Sequence, residues 1–431
     1  MGLKEAIKKI PLVRPLGHFA KERLTDFRSI RCLLAERRIK HDAGPIRVGF
    51  FCQYIPAWTK IEDLYKAMRS DPRFEPILLC IPSGIVNQQL EDPDSLENDA
   101  YRYCLDHNYP EAVNTLVDKN TWLDLKLLDL HYIFYPRPYN MLLPACYSTN
   151  TVSRYSRVCM LMYGLEFAEE MTRTSLNRNF LATTYYYFAE LPFMRRLNRK
   201  RNRLGHWLKL QKTECHGYPM FAHLQEYQNV SSPSWEFSKN NFRVLWTPRW
   251  TTDLASGGSN FFTYYESLLR FAEANPDMDF LFRPHPLALS HFVETGEMTV
   301  QQAASFKECC SALPNVSLDT APNYEATLWQ TSVMISDISS IMPEYFITGK
   351  PLIFCASNMI LKLSDYMLRM LEGCYVVNNE QELFDCLRML ARGEDPLKSL
   401  RQEIVQEQFG SSFSGACENI MSALAQDHKA R

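Results

Sequence analysis

These 431 residues contain no glycine-rich phosphate loop. Neither G-x-G-x-x-G nor G-x-x-x-x-G-K-[ST] occurs, which excludes a dinucleotide fingerprint and a P-loop. The 13 cysteines form no C-x-x-C pair and no zinc spacing, and Cys309 and Cys310 are merely adjacent. Most lie in apolar segments such as ILLCIP and LIFCAS, the pattern of buried, reduced thiols in a cytoplasmic protein. No metal site and no cofactor is expected. No apolar run reaches the roughly 18 residues that span a bilayer. The opening MGLKEAIKKIPLVRPLG has neither the long apolar core nor the small-residue cleavage site of a signal peptide. A net charge of only −2 removes the global electrostatic case for a nucleic-acid partner. There is no internal repeat, no low-complexity tract and no identifiable Ser-His-Asp set.

What is present is globular composition, 46% apolar and 22% charged, in a chain long enough for two domains. Residues 1–40 carry eleven Lys/Arg against four acids, with Ile7, Ile10, Leu12 and Val13 interleaved. This basic amphipathic segment is either a solvated helix packed on its domain or a membrane-surface element. From Ile46 onward, short apolar runs alternate with helical stretches. IRVGFFCQ, EPILLCIPS, HYIFYPRP and SRVCMLMYG read as strands; KIEDLYKAMRS, DAYRYCLDHN and EAVNTLVDK read as helices. The region 195–212 then carries eight Lys/Arg and no acid. A domain junction is expected at 225–240, where NVSSPSWEFSKNN gathers Ser, Asn and Pro. Beyond it FRVLWTPRW, DFLFRPHP, NVSLDT, SVMISD and KPLIFC read as strands, with helices between them and two more at the end. Alternation of this kind implies parallel sheets flanked by helices.

Three strand ends in the second half carry chemistry. In SVMISDISSIMPEYFITGKP a strand ends at Asp337, and Ser339 and Ser340 stand where a helix begins. Their hydroxyls either cap that helix or leave its free N–H groups facing a phosphate. Glu344, one turn on, is placed to accept from ribose hydroxyls or is a surface glutamate. LFRPHP sends Arg283 and His285 out of a strand on either side of Pro284, and strand alternation puts them on one face. A guanidinium and an imidazole suit an anion, and the imidazole could also move protons; a structural hydrogen-bonding role is the alternative. WTPRWTTD contributes Arg249. Together these ends form a diphosphate cradle beyond the carboxyl edge of a sheet, where ligands of open α/β folds bind. Asp277-Met278-Asp279, a D-x-D, lies at the opposite edge.

TPRW, FRPHP and SDISSIMPEYFITGKPLIFC, in this order and spacing, resemble the C-terminal half of the CDP-glycerol glycerophosphotransferase family, which builds teichoic acids and related phosphate-linked surface polymers. RVGFFCQYIPAWTKIEDLYKAMRSDPRFEPILLCIP resembles the opening of bacterial relatives, and HGYPMFAHL the last strand of their first domain. The resemblance covers most of residues 45–425. It implies a GT-B-like α/β architecture: a basic N-terminal segment (1–44), a Rossmann-like acceptor domain (45–230) and a Rossmann-like donor domain (240–431), facing across a cleft.

Carried across residue by residue, the donor contacts would be Arg249, Arg283, His285, Asp337, Ser339, Ser340 and Glu344. His285 and Arg283 would act at the leaving phosphate. The family's first-domain His-Gly is replaced by Tyr163-Gly164, and a tyrosine with pKa about 10 is a poor base at neutral pH. Arg137, Tyr163 and His216 are the acceptor-side candidates, with His216 the substitute base by position. The expected activity moves glycerol phosphate, or another alditol phosphate, from a CDP-activated donor to a glycan or lipid-linked acceptor with release of CMP. A GT-B glycosyltransferase using a nucleotide sugar and an inactive GT-B-like scaffold are the alternatives. The protein is expected in the cytoplasm, peripheral at the inner face of an anionic membrane.

Overall fold

The computed structural model describes all residues except 1–12, 39–43, 170–171, 173–175, 241, 322, 357–360, 411–412, 414 and 431. Part of the basic N-terminal segment lies outside the described residues. The chain divides into two compact units. One comprises Met1–Gly164, Arg173–Pro219 and Ser414–Arg431; the other comprises Leu165–Thr172 and Met220–Phe413.

The first unit is built on seven parallel strands: β1 (Ile46–Cys52), β2 (Phe74–Cys80), β3 (Val113–Asn114), β4 (Tyr132–Tyr135), β5 (Arg157–Leu161), β6 (Tyr186–Phe188) and β7 (Lys212–Glu214). Their order is β7-β6-β5-β4-β1-β2-β3, the doubly wound arrangement, with the order reversing between β1 and β4. A parallel sheet is covered on both faces, so its strands read as continuous apolar runs. Successive residues of β1 serve opposite faces: Phe50 stacks on Phe134 at 4.9 Å, while Phe51 meets Tyr135 edge-on at 4.7 Å. Helices α1 (Val13–Glu36), α2 (Glu62–Arg69), α3 (Asp99–Asp106), α4 (Pro192–Arg201) and α5 (Arg203–Trp207) belong to this unit.

The C-terminal helix Ala416–Lys429 also belongs here. It buries Ile420, Leu424 and Ala425 in the same core cluster as Phe50, Tyr65 and Phe134. Its Asp427, almost fully buried, accepts from Tyr132 Oη (2.7 Å), Tyr185 Oη (2.7 Å) and Lys212 Nζ (2.6 Å) and pairs with Arg157. Burial alone would raise the Asp427 pKa. The Arg157 charge, with the bonds from Lys212, Tyr185 and Tyr132, outweighs it and holds the carboxyl below its ordinary value.

Two sequence-based expectations for residues 45–230 fail. EAVNTLVDK is not a helix: Val113–Asn114 adds to the sheet edge and Leu116–Asp118 enters a hairpin. Val113, Thr115 and Val117 recur every second residue, and that β-branched period of two prevails over the helical reading. HGYPMFAHL is not a strand: the last strand is β7, and Pro219–Glu226 is a helix opened by its proline.

The second unit has six parallel strands: β8 (Phe242–Thr247), β9 (Met278–Phe282), β10 (Val316–Leu318), β11 (Val333–Ser336), β12 (Leu352–Cys355) and β13 (Tyr375–Val377). Their order, β10-β9-β8-β11-β12-β13, repeats the doubly wound pattern, with the reversal between β8 and β11. Helix α6 (Phe261–Ala274) buries Phe261, Tyr264, Leu268, Phe271 and Ala272 against this sheet at helical spacing. Helix α7 (Val300–Ala312) is opened by a Thr299–Gln302 capping box. Asp279 of the D-x-D is a buried clamp: its carboxylate accepts from Asn240 N (2.7 Å) and Ser238 Oγ (2.7 Å).

Candidate functional site

In doubly wound sheets the crevice lies beyond the carboxyl ends of the two strands where the order reverses. In the second unit these are β8 and β11, and there the backbone N–H of Arg249 donates to Asp337 Oδ2 at 2.8 Å. Asp337 is 2% exposed, and the bonds to its carboxylate come from inside the protein. It also accepts from Ser259 Oγ (3.2 Å), Asn260 N (3.2 Å) and Asn260 Nδ2 (2.8 Å). Burial pushes the Asp337 pKa up, opposed by these donors. Asp337 therefore holds together the β8 end, the start of α6 and the β11 end.

Sequence reasoning passed over the loop that makes this possible. Gly257 and Gly258 adopt φ of +113° and +69°. A Cβ on Gly257 would stand 2.6 Å from Ile338 Cγ2. Only glycine allows the loop to press against the β11 end and deliver Ser259 and Asn260 to Asp337. The Gly-Gly-Ser-Asn run directly before a strongly periodic helix was the available signal.

The Arg249 side chain lies under this loop. Its Nη1 donates to Ile338 O (2.8 Å), its guanidinium lies over the Phe167 ring at 5.5 Å, and its buried Nε makes no hydrogen bond among the described residues. Burial lowers its pKa against the pull of Asp337 and Asp253, yet an arginine keeps its charge. His285 stands nearby with an exposed side chain. Its Nδ1 accepts from Leu287 N at 3.2 Å, which puts the proton of the neutral ring on Nε2. Partial burial, then the Arg249 charge, lowers the His285 pKa. At neutral pH the ring is an uncharged donor.

The structure separates Arg283 from His285. Strand β9 stops at Phe282, so alternation no longer holds across Pro284. Arg283 turns to Asp319 (2.6 Å) and Ala321 O (2.8 Å), and its guanidinium lies over Tyr324 at 5.0 Å. Tyr324 Oη in turn donates to the buried carboxylate of Glu344. Arg283, Tyr324 and Glu344 thus form a second cluster, whose charge Asp319 partly offsets. The serines depart from the capping expectation as well. Ser340 precedes helix α8 (Ile341–Phe346) with φ −69° and ψ −18°, a helical conformation in which its hydroxyl caps nothing. Ser339 Oγ lies 3.3 Å from Ser336 Oγ, and Ser340 is exposed. Lys350 of the Gly-Lys-Pro block points away from the site and donates to the carbonyl oxygens of Trp329 and Thr331.

In the first unit the corresponding edge is formed by β1 and β4. Arg137, two residues past β4, lies over Tyr54 at 4.8 Å and over Tyr139 at 5.7 Å, and Tyr54 meets Tyr163 at 6.4 Å. No carboxylate pairs with Arg137 among the described residues, and its buried Nε makes no hydrogen bond. Past β7, His216 Nε2 lies 3.1 Å from Glu214 Oε2 and 2.9 Å from Tyr186 Oη. The His216 bond, and then that from Tyr186, hold the Glu214 pKa at about 2 against its burial. Asn419 of the C-terminal helix donates to His216 O at 3.2 Å.

A model of the CDP-Glycerol:Poly(glycerophosphate) glycerophosphotransferase family matches residues 172–421, more than half of the chain. The chain belongs to that family. No curated protein sequence matches it. Among solved structures it is similar to the wall teichoic acid polymerase TagF, at 14% identity and a TM-score of 0.56, over 98% of this chain and 99% of that one. A TagF variant soaked with CDPG gives 14% identity, a TM-score of 0.55, and 95% and 98% coverage. UDP-GlcNAc 2-epimerase from Neisseria meningitidis bound to UDP-GlcNAc gives 13% identity, a TM-score of 0.58, and 88% and 99% coverage. These likenesses establish the GT-B fold, and family membership makes the chain a transferase of the surface-polymer type. No described helix is long and apolar enough to cross a membrane.

Proposed function

We propose that this glycerophosphotransferase family member moves glycerol phosphate, or another alditol phosphate, from a CDP-linked donor to a hydroxyl of a glycan or lipid-linked acceptor. The acceptor oxygen attacks the β-phosphorus of the donor, the bond between that phosphorus and the bridging oxygen breaks, and CMP leaves with the bridging oxygen. The observation that carries the reading is the second unit's switch point. Arg249 is locked there by Asp337 beside a neutral His285, at the sheet edge where open α/β folds bind their ligands.

Arg249 offsets charge on the leaving phosphate, and His285 donates to it through Nε2–H. Ser339 and Ser340 stand at the start of α8 with hydroxyls uncommitted to capping, available to phosphate oxygens. Arg283 and Glu344 act through Tyr324 to shape the pocket wall, and Asp337 positions the loops. On the acceptor side His216 takes the hydroxyl proton at Nδ1, while Nε2–H is held by the ionised Glu214. Arg137, with Tyr54, Tyr139 and Tyr163, binds the acceptor. Chromatography of the nucleotide product after incubation with CDP-glycerol and acceptor tests the reaction. CMP appearing in step with acceptor-bound phosphate supports it; CDP, or UDP from a UDP-sugar, overturns it in favour of glycosyl transfer.

A further inference from the structure

Residues Leu165–Thr172 belong to the second unit, although the chain before them, up to Gly164, and after them, from Arg173, belongs to the first. Leu165, Phe167 and Ala168 are buried. This strap is fastened to residues 362–364 by a short antiparallel pairing, Ala168 against Leu363. Glu169 N donates to Lys362 O at 2.8 Å, Ser364 N donates to Phe167 O at 3.0 Å, and the Lys362 and Glu169 side chains pair at 2.8 Å. Ser364 stands just before the helix Asp365–Leu371, where a serine hydroxyl ordinarily accepts from the helix it opens. Here it caps nothing and donates to Phe167 O at 3.2 Å. Thr172 N and Oγ1 both return to Ala168 O at 2.9 Å. The backbone of Phe167 is thus pinned, and its ring is the one that meets Arg249, with the guanidinium 5.5 Å from the ring centroid.

We propose that Phe167 is a positioning residue for Arg249: the strap holds an aromatic face against the guanidinium so that its charge stays turned toward the leaving phosphate. The ligand it serves is the one named in the transfer reading above, on which this inference rests. The face of a phenyl ring is electrically negative and attracts an arginine most strongly where water is excluded. Phe167 and Arg249 are 5% and 9% exposed, so the condition is met. Other sides of the guanidinium are held as well. Nη1 donates to Ile338 O, and a Cβ on Gly257 would stand 3.1 Å from Nε. No bond from Nη2 is made among the described residues, which leaves that nitrogen to a ligand. The choice of a ring is chemically apt. A carboxylate in its place would fix the arginine but spend its charge, whereas a ring orients the cation and leaves the full charge for phosphate.

The test uses two forms of the whole chain: Phe167→Leu, which fills the space without a ring, and pentafluorophenylalanine in place of Phe167, which keeps the ring but reverses the charge of its face. In both, kcat/KM for CMP release from CDP-glycerol should fall about tenfold. In an Arg249→Gln background the same replacements should add little, because no guanidinium remains to be positioned. A second reading needs no donor. The Arg249 charge contributes to the lowered pKa of His285, so a guanidinium freed from the ring should let that pKa rise toward its ordinary value, as NMR titration of the imidazole would show. A loss confined to Phe167→Leu, with the pentafluorophenylalanine protein behaving as the parent in both turnover and titration, overturns the inference and assigns Phe167 to packing. So does a loss as large in the Arg249→Gln background as in the parent. If the unaltered chain releases no CMP from CDP-glycerol, the transfer reading fails, and the His285 titration still decides whether Phe167 holds Arg249.

Discussion

The backbone of Arg249 and the carboxylate of Asp337 meet at 2.8 Å, joining the two strand ends between which the second sheet reverses its order. Because Asp337 also holds Ser259 and Asn260, it acts on the ligand site through the loops. Asp337→Asn should cost about 1–3 kcal/mol of stability, since one amide cannot accept all of these donors. The same variant should lose most turnover. Chemical denaturation and CMP release measured together check both, and full activity in a destabilised protein would assign Asp337 to folding alone.

The same arginine influences His285. Removing its charge in Arg249→Gln should move the His285 pKa upward, toward the ordinary value of about 6.5, because the second cause of the depression is gone. NMR titration of the imidazole reads this directly.

His216 should matter to the acceptor step. His216→Ala is expected to lower kcat by about 10²–10⁴-fold with little change in donor binding. Glu214→Gln should weaken turnover less, because it loosens the ring without removing it. Calorimetry with CDP-glycerol alongside steady-state kinetics separates the two effects.

Arg137→Ala, and more mildly Tyr54→Ala, should raise the KM for an anionic acceptor while leaving donor affinity unchanged. The guanidinium is expected to bind acceptor phosphate without being needed for folding. A loss of stability above about 2 kcal/mol in Arg137→Ala would place it in the fold instead.

Asp427 predicts the acid limit of stability. Its folded pKa lies below the ordinary carboxylate value, so its contribution is complete above the unfolded pKa of about 3.9. That contribution is lost as pH falls through the folded pKa. Asp427→Ala should lose about 3–5 kcal/mol at neutral pH, because Arg157 is left buried with one fewer counter-charge. Its stability should also fall less steeply below pH about 4 than that of the parent. Thermal melts across pH check this.

Much of the architecture is legible in the residues themselves. Runs such as IRVGFFC and SVMIS, short, β-branched and bounded by turn residues, read as strands covered on both faces, and their alternation with periodic helices points to parallel sheets. The positions of Arg249, Arg283, His285 and Ser339 at strand ends are equally local, since a strand end is marked by where the apolar run stops. What those side chains touch is not local. Arg283 turns to Asp319 and Tyr324, 36 and 41 residues on, because the strand ends before it and a buried carboxylate lies in reach. The helix Ala416–Lys429 returns to the first unit because its Asp427 meets Arg157 and Lys212 there, a charge match spread over 270 residues that no sequence window contains. Sequence determines which segments fold and where they stop. Only tertiary packing decides which charges are neutralised inside the protein, and therefore which remain to meet a ligand.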